Sequence, residues 1–324
     1  MNSFIPYKEA IQKMDKLQAE GEDFLFVLNF DKTLGFCETL KKLDGNWIKY
    51  EINKKNLASK SSKAFSFNFK PVPFSNYLNQ FNQIKQQIAL GNTYLTNLTI
   101  KTKIDTTLNL LEIFNLSIAK YKLWIKDQFV SFSPECFIEI NDHQISTYPM
   151  KGTHKLLAGE SADILLSNPK ENAEHLTIVD LLRNDLSIVA NNVSVNHFKY
   201  LDQLKTNNGI IVQMSSKISG ELKEKYYNRY GTLLDLILPA GSISGAPKDK
   251  TLEIIQESED YERGFYTGIF GTFCNGNLDS GILIRFIEED NQELFFKSGG
   301  GITFNSDPIL EYQEYMNKIY VPIF

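Results

Sequence analysis

Two apolar runs separated by Asn275-Gly276 constrain this chain more than any other feature. "GFYTGIFGTFC" precedes the pair and "NLDSGILIRF" follows it. Asn-Gly tolerates the positive φ angles of a two-residue turn, and such a turn joins antiparallel strands. A second hairpin is predicted over residues 128–152, where "QFVSFSPECFIEI" and "QISTYPMKG" flank Asn141, Asp142 and His143. That register would set Glu135 opposite Met150 or Lys151, with cross-strand Cβ atoms ~5 Å apart.

Helical patterns lie between the strands. Residues 76–92 repeat apolar side chains at helical spacing and stop at Gly91. In "SNPKENAEHLTIVDLLRNDLSIVA" (167–190), Leu176, Val179, Leu182 and Leu186 form an apolar stripe, and Glu171, Glu174 and His175 share another face. Residues 232–259 read as an apolar segment, a Gly/Ser loop and a helix starting near Pro247. "ELFFKSGGGITF" reads as a strand broken by three glycines, and residues 305–320 as a last helix. The first 75 residues carry no visible chemistry.

Charge narrows the function. With 39 acidic and 34 basic residues the net charge is −5, which disfavours a non-specific grip on nucleic acid or anionic membrane. A small anion would need a local positive pocket. Cys37, Cys136 and Cys274 lie far apart with no C-x-x-C pair, so neither a disulfide frame nor a zinc site is expected. No apolar leader or spanning run is visible, and a cytoplasmic protein is expected.

Several residues could carry chemistry. Glu171 and Glu174, and Glu311 and Glu314, form two E-x-x-E pairs, each on one helix face. They are either solvated acidic faces or, brought together, an all-oxygen set suited to Mg²⁺. "AGSISGAPK" (240–248) and "SGGGI" (298–302) are tight turns or cradles of backbone N–H groups for an anion. Arg285, at the end of an apolar strand whose hairpin partner holds Tyr266, suits a bidentate anion or an acidic side chain. Glu135 and Lys151 are either an edge-strand ion pair or a reacting pair. His175 is as well read as a satisfied helix side chain as a catalyst.

In order, "SFSPECFIEI", "YPMKGT", "KENAEHLTIVDLLRND", "LPAGSISGAPKDKTLEIIQE", "RGFYTGIFGTF", "GILIRF" and "GGGITFNSDPILEYQEYMNK" resemble the chorismate-utilising enzymes, over roughly residues 75–320. The resemblance implies one large α/β (α+β) domain: two packed, mainly antiparallel sheets with helices outside. Residues 1–75 would be a short N-terminal part of the same fold and residues 76–324 the chorismate-binding region. By motif match, Glu174 and Glu314 would ligate Mg²⁺, with Glu171 and Glu311 as outer ligands. Lys318 would help hold the ring carboxylate. Arg285, Tyr266 and the N–H groups of Gly299, Gly300 and Gly301 would take the enolpyruvyl carboxylate. Gly152, Thr153 and Ser244 would line the ring.

The lysine in "PMKGT" resembles the aminodeoxychorismate synthase component I type, in which it attacks the ring. Anthranilate synthases usually read P-I-A-G-T there. The resemblance makes Lys151 the nucleophile and Glu135 the general acid, with ammonia supplied by a separate glutamine amidotransferase subunit. No nucleic acid or membrane partner is implied. Two positions depart from the pattern: Leu95 stands where relatives often carry glutamine, and Gln213 where they carry histidine. Anthranilate synthase component I, or a chorismate-binding protein without catalysis, are the alternatives.

Overall fold

A computed structural model describes residues 3–54, 65–155, 160–161, 163, 166–167, 169–206 and 209–323. Its strands form two sheets, and every pairing among the described residues is antiparallel. The ten-stranded sheet runs β1 (Ile5–Pro6), β3 (Leu34–Thr39), β2 (Phe24–Leu28), β15 (Ile269–Cys274), β16 (Asn277–Ile282), β9 (Cys136–Asn141), β10 (Gln144–Thr147), β13 (Gly209–Leu222) and β11 (Met150–Lys155), with β12 (Ala190–Thr206) also on β13. The eight-stranded sheet runs β14 (Gly245–Ala246), β6 (Leu95–Thr106), β18 (Glu293–Thr303), β17 (Phe286–Asp290), β8 (Phe129–Ser133), β7 (Tyr121–Ile125) and β4 (Ile48–Ile52), with β5 (Phe67–Phe69) also on β6.

Strand alternation sets the layers. In β2, Leu25 and Val27 join Tyr121, Leu123, Phe129 and Phe286 in an apolar layer between the sheets. Phe24, Phe26 and Leu28 face the other way, into a core shared with α1 (Tyr7–Ala19), α4 (Pro169–Val189) and α5 (Tyr230–Ile237). The outer face of the second sheet is covered by α2 (Phe74–Ala89), α3 (Leu110–Leu116) and α7 (Pro308–Asn317). α6 (Lys248–Ser258) gives Ile254 to one core and Ile255 to the other. The expected pair of antiparallel sheets with helices outside is what the chain builds.

The Asn275-Gly276 hairpin forms as read: Cys274 pairs with Asn277, and φ is 51° and 83° at the two turn residues. The second hairpin is shorter than expected. β9 and β10 pair from Asn141–Gln144 to Glu139–Ser146 and then part. Pro149 has no N–H to continue the ladder, and its carbonyl accepts instead from Ser216 N. Beyond it, β11 pairs with β13, setting Lys151 opposite Met214. Glu135 belongs to no strand; it lies in the short link by which the chain passes from β8 to β9, from one sheet to the other. The expected cross-strand register, Glu135 opposite Met150 or Lys151, is therefore corrected.

Two further expectations are corrected. β18 runs unbroken through Gly299, Gly300 and Gly301, each paired to β6. A Cβ at Gly299 would stand 2.3 Å from the Leu98 carbonyl oxygen, so glycine permits the close pairing rather than ending it. In α4, Leu176 is 50% exposed while His175 is fully buried. A hydrogen bond between His175 Nε2 and Ser216 Oγ, 2.7 Å, fixes that ring against β13.

Candidate active site

Three candidate residues meet where the chain crosses between sheets. Glu135 is tied by its backbone: its N–H donates to Ser133 Oγ at 3.1 Å, and its carbonyl accepts from Ile282 N. Its carboxylate Oε1 accepts the Ser242 hydroxyl at 2.9 Å. Arg285 lies in the return crossing from β16 to β17, with φ 51°, and its carbonyl accepts from Phe132 N. Its Nη1 donates to the Lys318 carbonyl at 2.7 Å, and its guanidinium stacks 4.8 Å from the Tyr320 ring centroid. Among the described residues no carboxylate pairs with it.

Tyr266, buried in the turn before β15, faces the same region. Burial pushes its hydroxyl pKa up. Arg263 and Arg285 oppose that rise, and Glu259 and Glu135 add to it. Tyr266 therefore lies in the turn before β15 and Arg285 in the crossing to β17, not in the paired strands of the hairpin as expected. The apolar strand ends at Ile282, and the backbone must leave the ladder to change sheets. Lys151, Gly152 and Thr153 open β11, and the register with β13 shifts between Lys151 and Thr153. Their side chains lie outside the described residues.

The glycine strand supplies an open edge. β17 pairs with β18 only as far as Phe286–Lys297, so among the described residues the far edge of Gly299–Gly301 has no strand neighbour. The Gly299 carbonyl points out to Lys318 Nζ at 2.7 Å. Opposite it, Thr99 turns its own N–H away to Glu259 Oε1. By ladder alternation the N–H groups of Gly299 and Gly301 face the open edge, and those of Gly300 face β6.

Over Gly300 three charged groups converge. Glu311 Oε2, Glu314 Oε1 and Lys318 Nζ each lie 3.7 Å from where its Cβ would stand. Lys318 and Glu314 pair at 2.8 Å, and Glu311 is 5% exposed. Nearby, burial raises the Tyr77 hydroxyl pKa, and Glu311 and Glu314 raise it further. Two carboxylates offering oxygen alone fit a hard divalent cation. Glu171 and Glu174 sit in the first two turns of α4, half-buried. Among the described residues they do not close with the α7 pair into a group whose oxygens all lie within 4.8 Å.

The Gly/Ser loop is filled by its own chain. The Ser244 hydroxyl donates to the Ala240 carbonyl at 2.8 Å, and the Ser244 carbonyl accepts from Asn97 N. Asp185 of α4 accepts from Gly241 N at 3.2 Å and from Lys248 Nζ at 3.0 Å. Of the two readings of this loop, the tight turn is the one that fits, because the N–H groups of Gly241, Ile243 and Ser244 have partners within the chain. The sequence reading missed Ser242, which nothing but loop membership signalled. It also missed Arg263. That guanidinium grips Glu259 twice, at 2.6 and 2.8 Å, and donates to the carbonyls of Ile243 and Asn97. The i,i+4 spacing of Glu259 and Arg263 was its signal.

Burial, helped by Lys199, pulls the His175 pKa down to about 4, which favours the neutral ring. Leu95 is buried beside Gly301 in the apolar core, and Gln213 lies mid-β13 opposite Thr153.

Comparison with known proteins gives a consistent answer. The profile of a family described as chorismate binding enzyme matches residues 21–323. A Haemophilus influenzae protein named as an uncharacterized PabA-like protein is 46% identical over 315 residues, covering 97% of this chain and 96% of its own. Aminodeoxychorismate synthase component 1 of Bacillus subtilis is 30% identical over 302 residues, covering 87% of this chain and 62% of that protein. Anthranilate synthase component 1 of Pseudomonas putida is 35% identical over 258 residues, covering 75% and 51%. The chain thus spans only part of the length of these two synthases. Among solved structures, anthranilate synthase component I of Streptococcus pneumoniae superposes with a TM-score of 0.67 at 26% identity, covering 79% of this chain and 59% of its own. The menaquinone-specific isochorismate synthase of Escherichia coli gives 0.72 at 15% identity, covering 98% and 82%, and shows the shared fold.

Proposed function

This chain belongs to the chorismate binding enzyme family, and we propose that within it the reaction is that of aminodeoxychorismate synthase component I. Chorismate and ammonia would give 4-amino-4-deoxychorismate and water, on the route to 4-aminobenzoate and folate. The observation that carries this reading is Lys151 in "PMKGT", at the start of β11. Glu135, hydrogen-bonded by Ser242 at the sheet crossing, supports it.

The mechanism begins with one proton. Lys151 passes it to the Glu135 carboxylate, leaving a neutral amine and a carboxylic acid. The amine forms a C–N bond to the ring as the C4–O bond breaks, and Glu135 returns the proton to the departing oxygen, which leaves as water. Ammonia then displaces the lysine amine. Arg285, Tyr266 and the outward N–H groups of Gly299 and Gly301 would hold the enolpyruvyl carboxylate. Gly152, Thr153 and Ser244 would border the ring.

Mg²⁺ is part of the proposal. Glu314 and Glu174 would hold it directly and Glu311 and Glu171 through water, and it would supply positive charge to the ring carboxylate beside Lys318. Ammonia would come from a separate glutamine amidotransferase subunit. Among the described residues no helix is long and apolar enough to cross a membrane.

Anthranilate synthesis is the second reading, favoured by the 35% identity to the Pseudomonas putida protein. Incubation of the purified chain with chorismate, Mg²⁺ and an ammonium salt separates the two. A product that an added lyase converts to 4-aminobenzoate supports the first. Direct formation of fluorescent anthranilate overturns it.

A further inference from the structure

The loop that carries Ser242 is held from two sides by buried charge. On one side Arg263, neutralised by Glu259, donates to the Ile243 carbonyl. On the other, Asp185 accepts from Gly241 N and pairs with Lys248, whose Nζ also donates to the Ile237 carbonyl at 2.7 Å. A Cβ on Gly241 would stand 2.9 Å from both Asp185 Oδ2 and Leu181 Cγ, so α4 backs directly onto this residue. The next residue along is Ser242, with its hydroxyl on Glu135. Asp185 is only 7% exposed. Burying such a pair seldom repays its desolvation in stability, so its place one residue from the donor to Glu135 asks for another role.

We propose that Asp185 is a positioning residue that acts on Glu135 through Gly241 and Ser242. The helix bearing Glu171 and Glu174 thereby sets the hydrogen-bond donor of a carboxylate on a different sheet crossing. This rests on reading Glu135 as a reacting group, and adds what holds that group in register. Tyr266 also faces Glu135, from the turn before β15, and stays unchanged in every variant below.

The test replaces the ion pair with apolar groups of similar size, Asp185→Leu with Lys248→Met, a kind of exchange that buried pairs often tolerate. Asp185→Asn with Lys248→Met is the rescue, since asparagine restores an acceptor for Gly241 N. Carboxyl ¹³C NMR follows the titration of Glu135, identified by the signal lost in Glu135→Gln. Ser242→Ala should raise the Glu135 midpoint, because a donor to the carboxylate is gone. The Leu/Met variant should raise it likewise, and the Asn/Met variant should bring it back. Adding Ser242→Ala to the Leu/Met variant should change nothing further. In turnover, Ser242→Ala and Leu/Met should each lower kcat by roughly tenfold or more, and the combination no further than the larger single effect.

An unmoved Glu135 midpoint in the Leu/Met variant, or multiplicative losses in the combination, would overturn the proposal. The titration needs no substrate. A chain that made anthranilate, or nothing, would sink the proposed reaction and leave this inference tested on its own.

Discussion

If Glu135 and Lys151 divide the chemistry as proposed, their variants should differ. Glu135→Gln cannot deliver a proton and should lose nearly all turnover, while Lys151→Ala should lose the covalent intermediate but keep a slow direct reaction with ammonia. Steady-state rates at saturating ammonium check this, and equal residual activity in both variants contradicts it. A stability prediction belongs to Glu259, whose side chain is 2% exposed against Arg263 at 1%. Glu259→Gln leaves a buried guanidinium without its counter-charge, and should cost about 3–5 kcal/mol in urea unfolding. A loss below about 1 kcal/mol would mean that the pair behaves as a solvated one. At this scale the sequence was informative where a residue is unusual for its setting, as with Arg285, a charge at the end of an apolar run that the structure sets near Tyr266. It was silent on Ser242, because a serine in a loop of serines carries no mark of what its hydroxyl meets.

The glycine strand shows what an element can and cannot tolerate. At Gly299 an added methyl would meet the Leu98 carbonyl oxygen at 2.3 Å, whereas at Gly300 the nearest groups are side-chain ends at 3.7 Å. Gly299→Ala should therefore lower Tm sharply. Gly300→Ala should keep Tm near that of the parent and, if that group holds Mg²⁺ as proposed, weaken its binding, because the methyl enters the Glu311–Glu314–Lys318 group. Thermal unfolding and a Mg²⁺ titration separate the two, and a reversed order would contradict the placement of that group. The hairpin at Asn275-Gly276 was legible because its turn is decided by two adjacent residues. The partner of β11 was not, because Pro149 ends one ladder locally while the next is chosen by β13, some sixty residues on. The buried face of α4 was misjudged at one step for the same reason. Leu176 fits the apolar stripe, but the Ser216 hydroxyl on a distant strand pulls His175 inward instead.

The whole molecule places its candidate groups at crossings between two sheets. Glu135 and Arg285 lie where the chain changes sheet, and Glu311, Glu314 and Lys318 lie beside the end of β18 that, among the described residues, pairs with β6 alone. The layered architecture was legible as a resemblance of ordered motifs, and no single motif would have given it. How the motifs meet in space was not legible, since each contact joins residues far apart in the chain. If the carboxylates hold Mg²⁺ as proposed, chelation should abolish turnover and added Mg²⁺ restore it. Turnover that survives exhaustive chelation would contradict that role.

Peptide mass mapping of the enzyme quenched during turnover decides the nucleophile. With chorismate and Mg²⁺ present and ammonium withheld, Lys151 should carry the mass of chorismate less one water, and ammonium should discharge it. Full product formation with Lys151 unmodified throughout would contradict the covalent route.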